Sequence, residues 1–282
     1  MSTVTEVEAP AAAPADRERP VYKVTMLRVL RSEWAKLWSL RSTWITLALA
    51  VVFVIAFGLI SMWHYKSALD GHGRMDPDLK TATAVELSLF GTNFGQLALG
   101  VLGVLVTAGE YSTGMIRSTL AAVPTRLPVL WAKAGVYGVV AFVVAAVAVF
   151  AGFLFGHGIV NGTPAAIGLG DTGVIRSLIG AAVYLALVGV IGVALGALLR
   201  SVAGGISVLV ATLMLIPGLF ELLPSSWRDH INQYLPSNAG QSMFALHHAA
   251  GTLTATSGLL VFLGWTALAL AGAAYRLVRT DA

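Results

Sequence analysis

"TAGEYSTGMIRSTLAAVPTRLPVLWAK", Thr107 to Lys133, is the most polar stretch in the middle of a very apolar chain. One apolar run ends at Ala108 and another begins at Ala134. Between them the chain places Glu110, Arg117, Arg126, Pro124 and Pro128. Each flanking run reaches the roughly 20 helical residues that cross a hydrocarbon core of about 30 Å. The stretch therefore reads as a connection between two membrane spans. What it does depends on the side of the membrane it occupies.

Composition fixes that setting. The 282 residues are 57% hydrophobic and only 11% charged, with a mean hydropathy of +0.79. Soluble domains carry about 25% charged residues, so a water-soluble fold is excluded. There is no cysteine, which rules out disulfides, thiolate metal sites and Cys nucleophiles. The pI near 9.5 raises nucleic acid as a partner. The basic residues, however, sit beside apolar runs, where membrane topology accounts for them, and no nucleic-acid partner is expected.

Six apolar runs are long enough to span, at about 44–62, 84–108, 134–156, 175–199, 202–221 and 256–275. Lipid offers the backbone no hydrogen-bond partner, so these runs must be helices. The expectation is an all-α membrane protein with a six-span domain over 44–276. Residues 1–22, rich in Ala, Pro and acids without an apolar period, read as a disordered tail. They are not a signal peptide, because the first long apolar run starts only at Trp44. Residues 277–282 form a second short tail.

Residues 23–43 read as an amphipathic helix. Leu27, Leu30, Trp34, Leu37 and Trp38 recur at helical spacing, with Arg28, Arg31, Glu33 and Lys36 largely opposite. Tryptophans on one face and Lys/Arg on the other suit the membrane–water interface. The alternative, a soluble helix packed on a domain core, lacks a soluble domain to pack on.

Lys and Arg set the orientation. With six spans both termini share a side. That side receives seven before Trp44, three in 109–133, then Arg200, Arg276 and Arg279. The other receives Lys66, Arg74, Lys80, Arg176 and Arg228. This asymmetry places both termini, and the opening stretch, in the cytoplasm under the positive-inside rule. The location is the plasma membrane.

Read as a short helix, the opening stretch aligns Glu110, Thr113 and Arg117 on one face and Tyr111, Met115 and Ile116 on the other. Pro124 and Pro128 would end it. The pattern suits a helix lying on the cytoplasmic surface and equally a solvated loop. "RSEWAKLWSLRSTWITLAL" (31–49), "TAGEYSTGMIRSTLAAVPTRLPVLWAKA" (107–134) and "YLPSNAGQSM" (234–243) resemble the permease subunits of type-two ATP-binding-cassette (ABC) exporters, especially actinobacterial ones. The resemblance covers about residues 24–279. It implies an interfacial elbow helix before span 1 and a coupling helix, Glu110 to Leu120, that docks on a separate cytosolic ATP-binding-cassette ATPase. Glu110 and Arg117 would be its charged contacts. It also implies a homodimer or paired permease, and short re-entrant helices before the last span. The exported substrate would be hydrophobic or amphipathic: a drug, lipid or natural product. The chain has no G-x-x-x-x-G-K-[ST] loop and no Gly-Lys pair, so ATP and Mg are expected on the partner subunit and no cofactor on this chain.

Span 2 is the least apolar. Glu86, Thr92, Asn93, Gln96, Gly100 and Gly103 fall within one arc. Polar side chains at that depth either line a substrate path or hydrogen-bond between helices, and Glu86 also suits an external surface. In span 4, Gly192 and Gly196 are spaced for close helix packing. Pro217-Gly218 predicts a break in span 5. His247-His248 lacks acidic or Cys partners for a metal site. No H-E-x-x-H or G-x-S-x-G motif occurs, and no enzyme activity is expected. Two other readings stand beside the exporter. An ion-coupled secondary transporter would carry more ionisable residues in mid-span, and a non-transport membrane anchor or immunity protein would need no cytoplasmic coupling helix.

Overall fold

A computed structural model describes residues 24–72, 77–220, 222, 224, 231–247 and 251–279. The proposed N-terminal tail, the last three residues, Arg74, Arg228 and His248 lie outside them. Among the described residues every regular element is a helix, with no strand. Helices α1 (Met26–Ser39) and α2 (Arg41–Leu69) are followed by α3 (Pro77–Thr81), α4 (Ala84–Leu89) and α5 (Thr92–Ser112). Next come α6 (Met115–Ala122), α7 (Leu127–Val160), α8 (Val174–Leu199), α9 (Val202–Val210) and α10 (Ile216–Phe220). Two more, α11 (Pro236–Ser242) and α12 (Ala255–Arg279), complete the order.

Six helical stretches are long and apolar enough to cross a membrane: Arg41–Leu69, Ala84–Ser112, Leu127–Val160, Val174–Leu199, Val202–Phe220 and Ala255–Arg279. They are the six runs read from the sequence, mostly with longer ends. The chain is a multi-pass, all-helical membrane protein. Polar ends extend the helices because a turn or two beyond the hydrocarbon costs the backbone nothing in bonding. Pro128 shows this at α7. It lies in the first turn, where its missing N–H is an orphan anyway. It therefore opens α7 instead of closing the preceding helix.

Helix α8 is the centre of the bundle, with α5, α7 and α12 packed around it and α2 against α5 and α7. The α5–α8 contact runs backbone to backbone. A Cβ on Gly103 would meet the Gly189 carbonyl, one on Gly192 the Gly100 carbonyl, and one on Gly196 the Val104 carbonyl. The span 2 glycines thus belong to the same packing seam as the small-residue spacing of span 4, and close approach requires both sets. The expected break at Pro217-Gly218 falls earlier instead. A π-helical turn occupies Ala211–Leu215, and α10 continues through Pro217. Proline removes the bond to, and crowds, the residue four before it, here Leu213, and the widened turn absorbs that conflict.

The segment before the last span forms a 3-10 turn, Asn232–Tyr234, and the short helix α11. Gly240 of α11 sits against the Tyr184 ring of α8.

Candidate functional site

The single short helix expected within the opening stretch is divided between α5 and α6. Helix α5 carries the expected span on to Ser112, so Glu110 lies in its last turn. Gly114 then adopts φ 74°, the left-handed conformation that glycine takes at no steric cost. Its N–H donates to the Tyr111 carbonyl at 3.2 Å, and that of Thr113 to Gly109 at 3.1 Å. These bonds close α5 before α6 begins. The expected single face of Glu110, Thr113 and Arg117 therefore does not form. Thr113 is exposed, its hydroxyl donating to the Gly109 carbonyl at 2.9 Å. Arg117 is exposed on α6.

Glu110 is only 4% exposed and does not present its carboxylate to solvent. It belongs to a quartet. Its Oε1 accepts from Lys133 Nζ at 2.8 Å and from Lys36 Nζ at 3.1 Å. Lys133 also donates to Glu33 Oε2 at 2.5 Å, and Lys36 to Glu33 Oε1 at 2.7 Å. Two lysines and two glutamates thus alternate, and Lys36 donates further to Thr119 Oγ1 of α6 at 3.1 Å. Glu33, Glu110 and Lys133 are buried, and Lys36 is partly so. Burying one such charge alone costs several kcal/mol, roughly, and alternation of sign offsets it. For Lys36, burial works against the ammonium, but the hydrogen bonds and charges of Glu33 and Glu110 outweigh it. Its pKa lies above the ordinary 10.5.

Four elements meet here: α1 through Glu33 and Lys36, α5 through Glu110, α6 through Thr119 and α7 through Lys133. The meeting follows from how α1 packs. Val29, Glu33 and Leu37, spaced by four, form its buried stripe. Val29 packs with Val123, Val129 and Ala132. Of the five residues expected on one membrane-facing side, Leu37 is turned into the core, Leu30 and Trp38 are half-buried, and Leu27 and Trp34 are exposed. Helix α1 has three sides: one in the bundle, one apolar and exposed, one polar. The expectation that Glu33 lies with the solvated charges fails for this reason. The signal was present in the sequence, since Glu33 sits midway on the Val29–Leu37 stripe.

Helix α6 turns Ile116 inward and leaves Arg117, Ser118, Ala121 and Ala122 exposed. Between α1 and α6 lies a groove of about 450 Å³, lined by Arg28, Ser32, Met115, Ser118, Ala122 and their neighbours. The same end of the bundle gathers Arg200 over the Tyr111 ring at 5.2 Å and Arg126 on the Leu277 carbonyl at 3.2 Å. Both described acids at this end, Glu33 and Glu110, are consumed by the quartet. Among the described residues its exposed charges, Arg28, Arg31, Arg41, Arg117 and Arg279, are all cations.

The polar arc of span 2 divides in two. Gln96 is buried, donates to the Asn93 carbonyl at 3.1 Å and accepts from the Tyr184 hydroxyl of α8. With Gly100 and Gly103 it packs between helices. Glu86, Thr92 and Asn93 instead line a pocket of about 240 Å³ at the opposite end from α6, with Phe90, Gln241 and Phe244. Glu86 is exposed there and caps α4. Its carboxylate accepts from the Thr83 N–H at 2.9 Å, and Thr83 Oγ1 accepts from the Glu86 N–H at 3.4 Å. Thr92 donates to the Leu89 carbonyl at 2.7 Å and Asn93 to Phe90 at 3.1 Å. Among the described residues no three His, Cys, Asp or Glu side chains gather as metal ligands.

No protein-family model matches this chain, and no match was found among curated proteins.

Proposed function

We propose that this chain is the permease subunit of an ATP-driven exporter, with α6 as the surface on which a separate cytosolic ATPase acts. The supporting observation is the quartet. A force on α6 reaches Lys36 through Thr119, and from there reaches α1, α5 and α7 through buried charge-assisted bonds. Such bonds are about twice as strong as neutral ones. A surface loop with no mechanical task needs no such tie. The cationic exposed surface at this end fits the cytoplasmic side and suits an ATPase surface that supplies carboxylates. The substrate is hydrophobic or amphipathic, the working unit contains two permease chains, and ATP and Mg bind the partner.

An ion-coupled transporter finds less support. The Asp, Glu, Lys, Arg and His side chains within the described spans lie near helix ends, and a polar contact in mid-bundle is the Gln96–Tyr184 hydrogen bond. A membrane anchor or immunity protein gives no account of the tie between α6 and three spans.

The coupling contact moves from Glu110 to the exposed face of α6. Arg117→Glu, assayed at equal membrane level, is expected to lower ATPase co-purification and transport while thermal stability stays unchanged. If both activities equal wild type, and Ser118→Arg also leaves them unchanged, α6 is not a coupling surface.

A further inference from the structure

At the corner between α1 and α2 the chain turns at Leu40, whose backbone is extended. Three tryptophan rings meet across that corner, one pair edge to face and the other tilted. Trp34 and Trp38 have ring centroids 5.3 Å apart, and Trp38 and Trp44 4.3 Å apart. The Trp44 indole N–H donates to the Trp38 carbonyl at 3.2 Å, which holds the cluster to the turn. Arg31 lies one helical turn before Trp34, and Arg41 one turn before Trp44. Each arm of the corner therefore carries a cation one turn before a member of the aromatic cluster. Both are exposed, and neither has a carboxylate or hydrogen-bond partner among the described residues.

Below Arg41, at successive turns of the same α2 face, stand Ile45, Leu49 and Val52, 68%, 43% and 55% exposed. That face belongs to a membrane-crossing helix, so acyl chains cover it. The corner thus offers unpaired cations and aromatic rings where the apolar strip begins, groups that suit the phosphate, glycerol ester and acyl chains of one lipid.

We propose that Arg31 and Arg41, with the Trp34–Trp38–Trp44 cluster and the Ile45–Leu49–Val52 strip, bind an anionic phospholipid at the elbow. An acidic protein segment would satisfy the arginines but not the strip that continues from Arg41 into the membrane. The site would hold the elbow at a fixed depth and make the α1–α6 end sensitive to the anionic lipid content of its leaflet. The inference rests on the interfacial placement of α1.

The test uses the full chain with Trp63, Trp131, Trp227 and Trp265 changed to Phe, so that fluorescence reports only the elbow. It is reconstituted in phosphatidylcholine vesicles containing increasing brominated phosphatidylglycerol or brominated phosphatidylcholine. Each arginine near an anionic surface contributes roughly fivefold in affinity, so wild type is expected to prefer the brominated anionic lipid by about thirtyfold at low salt. High salt should weaken this preference. Arg31→Gln with Arg41→Gln should abolish it, whereas Arg117→Gln with Arg279→Gln, the same charge change elsewhere at this end, should keep it. Equal quenching of wild type by the two lipids overturns the proposal, as does a preference that survives the double substitution. Full competition by millimolar inorganic phosphate would make this a soluble-anion site and also refute it. Absence of quenching by either lipid would show that α1 is not interfacial and remove its foundation, leaving the α6 coupling test to stand by itself.

Discussion

Replacing Lys133 by Met keeps the length and apolar stem of the side chain and removes only the ammonium. In wild type that ammonium is 2.5 Å from Glu33 and 2.8 Å from Glu110. Without it, two buried carboxylates share Lys36 alone, and the cluster carries an uncompensated negative charge. Breaking a buried pair from one side costs about 3–5 kcal/mol, a large part of the roughly 5–15 kcal/mol that holds a typical domain. The melting temperature should fall on the order of 10 °C, taking a few degrees per kcal/mol for a chain of this size. The double variant Glu33→Leu with Lys133→Met removes both charges of one pair and leaves Lys36 with Glu110 and Thr119. It should recover most of the loss, because excising a buried pair whole is often close to neutral. The assay is fluorescence-detected size exclusion of heated samples in detergent. If the single variant melts within a degree or so of wild type, or the double is no more stable than the single, the quartet does not hold the four elements together.

Lys36 supplies a pH test. Its folded pKa is raised above 10.5, so its contribution is complete below that value and is lost as pH rises through the folded pKa. The melting difference between wild type and Lys36→Met should stay constant from neutral pH to about 9 and shrink only in stronger alkali. A difference that vanishes near neutrality would contradict the pairing. Gly192→Val places a methyl-bearing Cβ against the Gly100 backbone, which cannot rotate away, so destabilisation of at least about 1–3 kcal/mol is expected. Unchanged melting would deny the close α5–α8 seam. Because the chain lacks cysteine, Ser112→Cys and Asn161→Cys report topology directly. An impermeant thiol reagent on intact cells should label only the second, and labelling of Ser112→Cys would reverse the orientation.

Six spans were legible in the amino-acid order because the requirement is one-dimensional. The bilayer's thickness sets the length of each apolar run, and dehydration of the backbone demands a helix. The polar interruption from Thr107 to Lys133 was visible for the same reason, as a place where the chain leaves lipid. Helix ends were less legible. Gly114 marks where α5 stops, yet an amphipathic reading ran across it, since a single glycine within a helical pattern is tolerated at about 1 kcal/mol.

Only the tertiary structure decided which charges meet. Glu33, Lys36, Glu110 and Lys133 come from α1, α5 and α7, and the outermost two are a hundred residues apart. In sequence each looks like a boundary charge suited to topology. Whether such a charge faces water or a partner depends on the rotation of one helix against another, and side-chain packing across the bundle sets that rotation. Val29 and Leu37 turn α1 inward, and that turn carries Glu33 to Lys133. The same reason explains span 2. Periodicity placed Gln96, Gly100 and Gly103 on one arc, but a single helix cannot show whether a polar arc looks onto a cavity or onto Tyr184 and the glycines of α8.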